Sequence, residues 1–103
     1  MRFEMMHPNN TGLTAVFGFD LFLSHFVEVT NGDRIVEEYD ALHGDGRLEG
    51  VVRVLVAHGF LVEEDVALAH EALAHSYWPD IEDLGLRRAA EVLSNLRAAA
   101  DEP

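Results

Sequence analysis

The sequence contains no cysteine, no lysine and no glutamine. Without cysteine, the chain has no disulfide framework, no thiolate metal site and no cysteine nucleophile. Seven arginines stand against nineteen aspartates and glutamates, so the formal net charge is −12. Affinity for nucleic acids comes largely from basic side chains that neutralise phosphates, and anionic membranes repel acidic proteins. We therefore expect neither direct nucleic-acid binding nor binding to a membrane surface.

Long apolar runs are also missing. The longest uncharged apolar stretch, 54–62, has nine residues, whereas a membrane-spanning helix needs about 18. The first ten residues hold charged and polar side chains and no apolar segment typical of a signal peptide. We therefore predict a cytoplasmic protein. A chain of 103 residues that is 49% hydrophobic and 25% charged has the composition of one ordinary globular domain.

The first half of the chain has the patterns of β-structure. Residues 1–12 are polar and rich in turn formers, and we interpret them as an N-terminal lead-in. Apolar residues alternate along 13–20, which is strand periodicity, and Gly18 within this run indicates a bulge or a close backbone approach. Segments 22–30 and 34–39 are rich in aromatic and β-branched residues, so two more strands are predicted there.

The dipeptide Asn31-Gly32 between the last two strands is the strongest short hairpin signal. The sequence does not determine how many residues form the hairpin loop, and two strand registers are possible. We favour the longer loop because it places opposite charges across from each other. The alternatives are a two-residue loop that pairs Thr30 with Asp33, and a three-residue loop that pairs Val29 with Asp33 and sets Glu28 opposite Arg34.

The second half of the chain has helical periodicity. From Leu48 the apolar residues recur at helical spacing, and Gly59 is predicted to end this helix in a Schellman motif. A second helix begins near Glu63, without a capping side chain, and a third begins between 80 and 83. The sequence therefore predicts an α+β fold, with a three-stranded antiparallel sheet followed by three helices packed on one face. This single domain spans 13–100, and 101–103 form a frayed tail.

No catalytic or metal motif stands out. His70-Glu71 with His75 resembles the zinc-protease motif, but its i, i+5 spacing turns the two rings about 140° apart on a helix. A looser metal site would combine His43, Asp45 and one helical histidine, but Asp45 in its glycine-rich loop is better interpreted as a turn residue. We predict no bound metal, no cofactor and no enzymatic activity, since nucleophile elbows and phosphate-binding loops are also missing.

Carboxylates and aromatic residues are the remaining candidates for a functional surface. The acids concentrate after the predicted hairpin, and the surplus aromatic residues exceed what a one-sided sheet buries. We predict an acidic face formed by Glu37, Glu38, Asp40, Asp45 and Glu49. We predict apolar anchors at Phe22, Phe26 and Trp78.

Three functional interpretations follow from these observations. The first is a non-enzymatic binding protein, such as an inhibitor or nucleic-acid mimic that occupies the cleft of a basic nucleic-acid-binding protein, of the anti-restriction or anti-CRISPR type. The second is a homo-oligomeric accessory subunit that pairs through a free sheet edge. The third is a metal-binding protein that uses histidines and carboxylates. The sequence favours the first, although a proteome-wide acidic bias would produce the same net charge.

Overall fold

The computed structural model describes residues 1–75 and 84–101. Within them the fold is α+β, as predicted, but the antiparallel sheet has four strands rather than three. In chain order the elements are β1 (Arg2–Met6), β2 (Leu13–Asp20), β3 (Ser24–Asn31), β4 (Arg34–Tyr39), α1 (Leu48–Ala57), α2 (Glu63–Ala74) and α3 (Leu84–Asp101).

The additional strand, β1, lies in the segment that the sequence analysis assigned to a lead-in. Phe3 pairs with Phe17, and the two rings pack with their centroids 5.8 Å apart. Met5 joins the same face two residues later, so the strand has one apolar side that β2 and the helices cover. The lead-in prediction was therefore wrong for residues 2–6, and the turn-rich residues that follow connect β1 to β2.

The four strands form a simple meander in the order β1-β2-β3-β4. Gly18 in β2 allows β1 to approach closely, because a Cβ at this position would overlap the carbonyl oxygen of Met1. The close approach predicted for this glycine is thus confirmed. The bulge in the sheet instead lies between β3 and β4.

The β3–β4 hairpin follows neither predicted register. Asn31 pairs with Arg34 around the two-residue loop Gly32-Asp33, and Gly32 has a φ of +62°. A bulge then shifts the pairing by one residue, so Glu28 lies opposite Glu38 and not opposite Arg34. The prediction that opposite charges face each other was therefore wrong, since like charges meet there.

The core lies between one face of the sheet and the helices. Phe17 and Val27 are neighbours on this face, and both are buried. Among the strands, α3 packs mainly on β2, and α1 packs on β3 and β4. The helix α2 packs on α3. Leu55, Leu93 and Leu96 are fully buried against the sheet face. No helix among the described elements packs on the opposite face, which we call the helix-free face.

The helix boundaries follow local signals in the sequence. Gly59 has a φ of +78°, and the amide of Phe60 donates to the carbonyl of Leu55, which confirms the predicted Schellman motif. The helix α2 begins at Glu63 without a capping side chain, as predicted. The predicted start of α3 lies outside the described residues. Asp101, predicted to fray, is the last residue of α3.

Candidate functional site

The helix-free face carries a concentration of carboxylates. Because side chains alternate along a strand, the pairs Val16–Glu28 and Glu28–Glu38 place Glu28 and Glu38 side by side on this face. A cavity of about 220 Å³ opens here beside the ring of Phe26. Its charged lining residues are Arg2, Asp20, Glu28, Glu38 and Asp40. We call the four carboxylates of this set, Asp20, Glu28, Glu38 and Asp40, the acidic sheet face.

Asp40 is the buried member of the acidic sheet face, with 7% of its surface exposed. Its Oδ1 accepts hydrogen bonds from the amides of Leu42 and His43, at 2.8 and 2.9 Å. The ring Nδ1 of His43 lies 2.8 Å from the same oxygen, and the ring Nε2 lies 3.2 Å from Glu38 Oε1. One histidine therefore bridges two carboxylates at the edge of the cavity.

The bridge sets the protonation of both partners. The hydrogen bond to Asp40 raises the pKa of His43 above 6.5, and the negative charges of Asp40 and Glu38 act in the same direction. Burial alone would raise the pKa of Asp40, but the hydrogen bonds from His43 and Leu42 outweigh it and hold this pKa below 3.8. The charged forms of both groups are thus stabilised together.

The loop that follows β4 is held by Tyr39. The phenol of Tyr39 donates to the Asp45 carboxylate and accepts a hydrogen bond of 2.9 Å from the amide of Arg47. Burial and the hydrogen bond to Asp45 raise the pKa of Tyr39. The ring lies directly on Gly50 of α1, where a Cβ would overlap it. Residues 40–47 are thereby fixed against the first turn of α1.

The carboxylates predicted as one acidic face occupy several environments. Glu38 and Asp40 come together through His43, as described above. Glu37 lies on the opposite side of β4, where its Oε1 is 2.5 Å from Nε2 of His58. Asp45 is held by Tyr39, and Glu49 lines a groove between α1 and α2. The acids therefore do not form a single continuous surface.

The predicted apolar anchors also differ from one another. Phe22 is 75% exposed in the β2–β3 turn, beside Leu21, which is 93% exposed. Phe26 is 8% exposed and forms part of the cavity on the helix-free face, so it is a buried residue and not a protruding anchor. Trp78 lies outside the described residues. Of the two predicted anchors that the structure describes, Phe22 has the exposure that an anchor requires and Phe26 does not.

Turn geometry holds Phe22 in its exposed position. Asp20 Oδ1 accepts hydrogen bonds from the amides of Phe22 and Leu23, at 2.8 and 2.5 Å. The carbonyl of Leu23 in turn accepts a bond of 2.8 Å from the amide of Ala41. The turn and the loop after β4 therefore lie together, which places Phe22 at the same end of the sheet as His43.

A second concavity lies between α1 and α2. It has a volume of about 400 Å³ and an apolar floor that includes Val52, Val56 and Val66. Its rim carries groups of both signs, among them Glu49, Arg53, Glu63 and His70. The mixed rim indicates no single class of ligand.

The looser metal site considered from the sequence is not assembled. His43 contacts Asp40 and Glu38, whereas Asp45 contacts Tyr39. Across residues 1–75 and 84–101, no three histidine, aspartate or glutamate side chains converge in a way that could hold a metal ion.

Three charged residues of the cavity were missed by the sequence analysis. Glu28 was assigned to a charge pair with Arg34, Asp20 was placed at the end of a predicted strand without a functional role, and Arg2 was placed in the lead-in. Alternation along β2 and β3 puts Asp20 and Glu28 on the face opposite Phe17, which was a usable signal. Arg2 could be placed only once β1 was recognised as a strand.

Comparison of the chain with protein-family models, with curated proteins and with solved structures finds no match. Among the helices of the described residues, none has the length and apolar character needed to cross a membrane.

Proposed function

We propose that this protein is non-enzymatic and acts by binding a basic partner protein through the acidic sheet face. The observation that carries this proposal is the pair Glu28 and Glu38, which lie directly opposite each other on an uncovered face. Like charges in this arrangement destabilise a sheet, typically by about 0.2–1 kcal/mol. His43 pairs with Glu38, so a cationic ligand on this face would chiefly balance the charge of Glu28.

The surroundings of the pair support a cationic ligand. Asp20 and Asp40 border the same cavity, and Arg2 is its one arginine among the described lining residues. The ring of Phe26 offers an apolar wall on which a guanidinium group can stack. Arginine and lysine side chains from a partner therefore fit this surface in both charge and shape.

The class of partner follows from the same charges. Proteins that bind nucleic acids present arginines and lysines spaced to meet phosphates. An acidic face on a small protein competes for those side chains, which would make it an inhibitor of the anti-restriction or anti-CRISPR type. We accordingly propose a cytoplasmic basic nucleic-acid-binding protein as the partner. Phe22, at the end of the same sheet, would supply an apolar contact beside the charged ones.

Affinity capture from the nuclease-treated lysate of the source cells tests this function. The baits are the wild-type protein, the Glu28→Gln/Glu38→Gln variant and a matched control, Glu64→Gln/Glu71→Gln, which removes the same charge from exposed positions of α2. We expect the wild type and the control to retain a basic nucleic-acid-binding protein that moderate salt releases. The affinity of this purified partner should fall about tenfold for the Glu28→Gln/Glu38→Gln variant, equivalent to about 1.4 kcal/mol.

Competition separates the mimic from other binding proteins. If the proposal is correct, DNA or RNA that the partner recognises will displace the protein from it. Binding that resists high salt, or that survives the Glu28→Gln/Glu38→Gln change in full, would contradict the proposal.

A further inference from the structure

The strand β1 forms an edge of the sheet, and its outer side has no partner strand among the described residues. Met1 and Phe19 exchange hydrogen bonds through their backbone, and the amide of His7 donates to Leu13. Hydrogen-bonded pairs alternate along an antiparallel ladder, so Phe3 and Met5 also bond to β2. The backbone N–H and C=O groups of Arg2, Glu4 and Met6 therefore point outward, away from β2.

The opposite edge of the sheet is irregular, whereas the register of β1 is unbroken. On β4, a bulge interrupts the strand and two consecutive carboxylates, Glu37 and Glu38, follow it. Bulges and charges of this kind prevent further strand pairing. The register of β1 is regular from Arg2 to Met6, so its outer side can accept another strand along its whole length.

The charged side chains of β1 itself are balanced. Arg2 and Glu4 lie two residues apart on the helix-free face of the strand. On the helix side, Arg88 and Glu91 of α3 line a cavity of about 230 Å³ that Glu4 also borders. Because β1 carries one positive and one negative side chain, antiparallel pairing of two copies can bring Arg2 of one copy beside Glu4 of the other.

We propose that two copies of the protein pair antiparallel through β1 and form one continuous eight-stranded sheet. The two-fold axis passes beside Phe3, so the Phe3 residues of the two copies face each other next to the cavity lined by α3. Arg2 of each copy then lies opposite Glu4 of the other. Both residues have outward backbone groups, so they form hydrogen-bonded pairs whose side chains carry opposite charges.

The charges of Arg2 and Glu4 favour this register over its neighbour. A shift of one residue in each copy would place Glu4 opposite Glu4, with like charges at the centre of the interface.

An isologous contact of this kind closes at two copies, because each copy uses its one regular edge. The helix-free faces of both copies lie on the same side of the joined sheet, so both acidic sheet faces remain open. The inference is independent of the proposed partner.

Sedimentation velocity of the full chain tests the pairing. We expect the wild type to be a dimer at micromolar concentrations. Arg2→Glu alone and Glu4→Arg alone each place like charges across the axis, and each should weaken dimerisation at least tenfold. The double variant Arg2→Glu/Glu4→Arg restores opposite charges in exchanged positions and should recover the dimer.

A second variant controls for loss of dimerisation through misfolding. Proline is tolerated where the replaced amide points away from the sheet, so Glu4→Pro removes an outward donor and leaves the β1–β2 ladder intact. We expect the Glu4→Pro variant to be a folded monomer by circular dichroism and sedimentation.

A wild-type monomer at high concentration would overturn the inference. So would a dimer that Glu4→Pro and both single charge reversals leave unchanged. The variant Glu28→Gln/Glu38→Gln should keep the dimer, so failure of this inference and failure of the proposed function are distinguishable.

Discussion

Glu28 and Glu38 lie directly opposite each other on β3 and β4, and the imidazole of His43 reaches Glu38 from the loop beyond. The two carboxylates face the helix-free side of the sheet, where no other described element covers them. Like charges in this register are unfavourable for a sheet. We therefore expect the stability of the fold to respond to substitution of either carboxylate and to added salt.

Removing one charge of this pair should stabilise the protein. We expect Glu28→Gln to raise the free energy of unfolding by about 0.5 kcal/mol, because the repulsion between the cross-strand carboxylates disappears. Urea denaturation at low salt measures the change. The gain should shrink when salt is added, since salt screens the repulsion that the substitution removes. A loss of stability would show that the two carboxylates do not repel in the folded state.

The His43 bridge predicts a pH-dependent contribution to stability. Because the folded-state pKa of His43 is raised above 6.5, its contribution is complete below pH 6.5 and is lost as the pH rises through the folded-state value. Because the pKa of Asp40 is lowered below 3.8, its contribution is present above pH 3.8 and is lost as the pH falls through the folded-state value. The bridge therefore contributes most between these two pH values.

The variant His43→Gln tests this prediction. We expect its melting temperature to lie below that of the wild type between pH 4 and 6.5, and the difference to shrink at higher pH. The pH dependence of the His43 ring resonances in NMR spectra gives the pKa directly. As a control, His75→Gln changes a histidine at the end of α2 that has no ion pair with a described residue, and its effect should be smaller. A constant difference across the whole pH range would contradict the ion-pair interpretation.

The contact between Tyr39 and Gly50 predicts a strongly destabilising substitution. In Gly50→Ala the added methyl group meets the Tyr39 ring, so either α1 or the ring must move. We expect a loss of about 1–3 kcal/mol, the usual cost of overpacking a core. This result is the opposite of the gain that glycine-to-alanine changes bring in ordinary helix interiors.

A matched glycine separates this steric effect from a general effect of alanine. Gly32 in the β3–β4 loop has a positive φ, but a Cβ added there would meet no atom within 4 Å. Gly32→Ala should therefore cost about 1–2 kcal/mol from backbone strain alone and leave the Tyr39 environment unchanged. The NMR resonances of the Tyr39 ring report the latter, since only the Gly50 change should shift them.

The exposed ring of Phe22 predicts a substitution that affects binding without affecting the fold. We expect Phe22→Ser to change the free energy of unfolding by no more than about 0.5 kcal/mol, since the side chain contributes little to the core. Affinity for the captured partner should fall by about tenfold or more if Phe22 is an interface anchor. Leu68→Ser on α2, also an exposed apolar position, is the control and should leave the affinity unchanged.

The sequence predicted the elements whose signals are local. The helix α1 and its end at Gly59 depend on apolar spacing and on one glycine in a left-handed conformation, and both were recognised. The strand β1 was missed, although Phe3 and Met5 alternate with polar residues, because five residues are too short a pattern to outweigh the turn formers that follow. Its stability comes from pairing with β2, which local sequence does not encode.

The candidate site was harder to predict because it depends on register. The bulge before Glu37 moves Glu38 opposite Glu28, and a shift of one residue changes which charges meet. The exposure of Phe22 follows from hydrogen bonds that Asp20 makes to the turn. The position of Phe26 beside the cavity depends on its pairing with Gly18 of β2. Neither is a property of the residue type alone.

The arrangement of strands before helices has a consequence for synthesis on the ribosome. All four strands pair with neighbours in sequence, and such local pairings form rapidly. The face that carries Phe17 and Val27 is nevertheless covered in large part by α3, the last of the described helices to be translated. A nascent chain would therefore leave the β2 part of this face uncovered until residues 84–101 leave the exit tunnel, and chaperones bind exposed apolar surface of this kind.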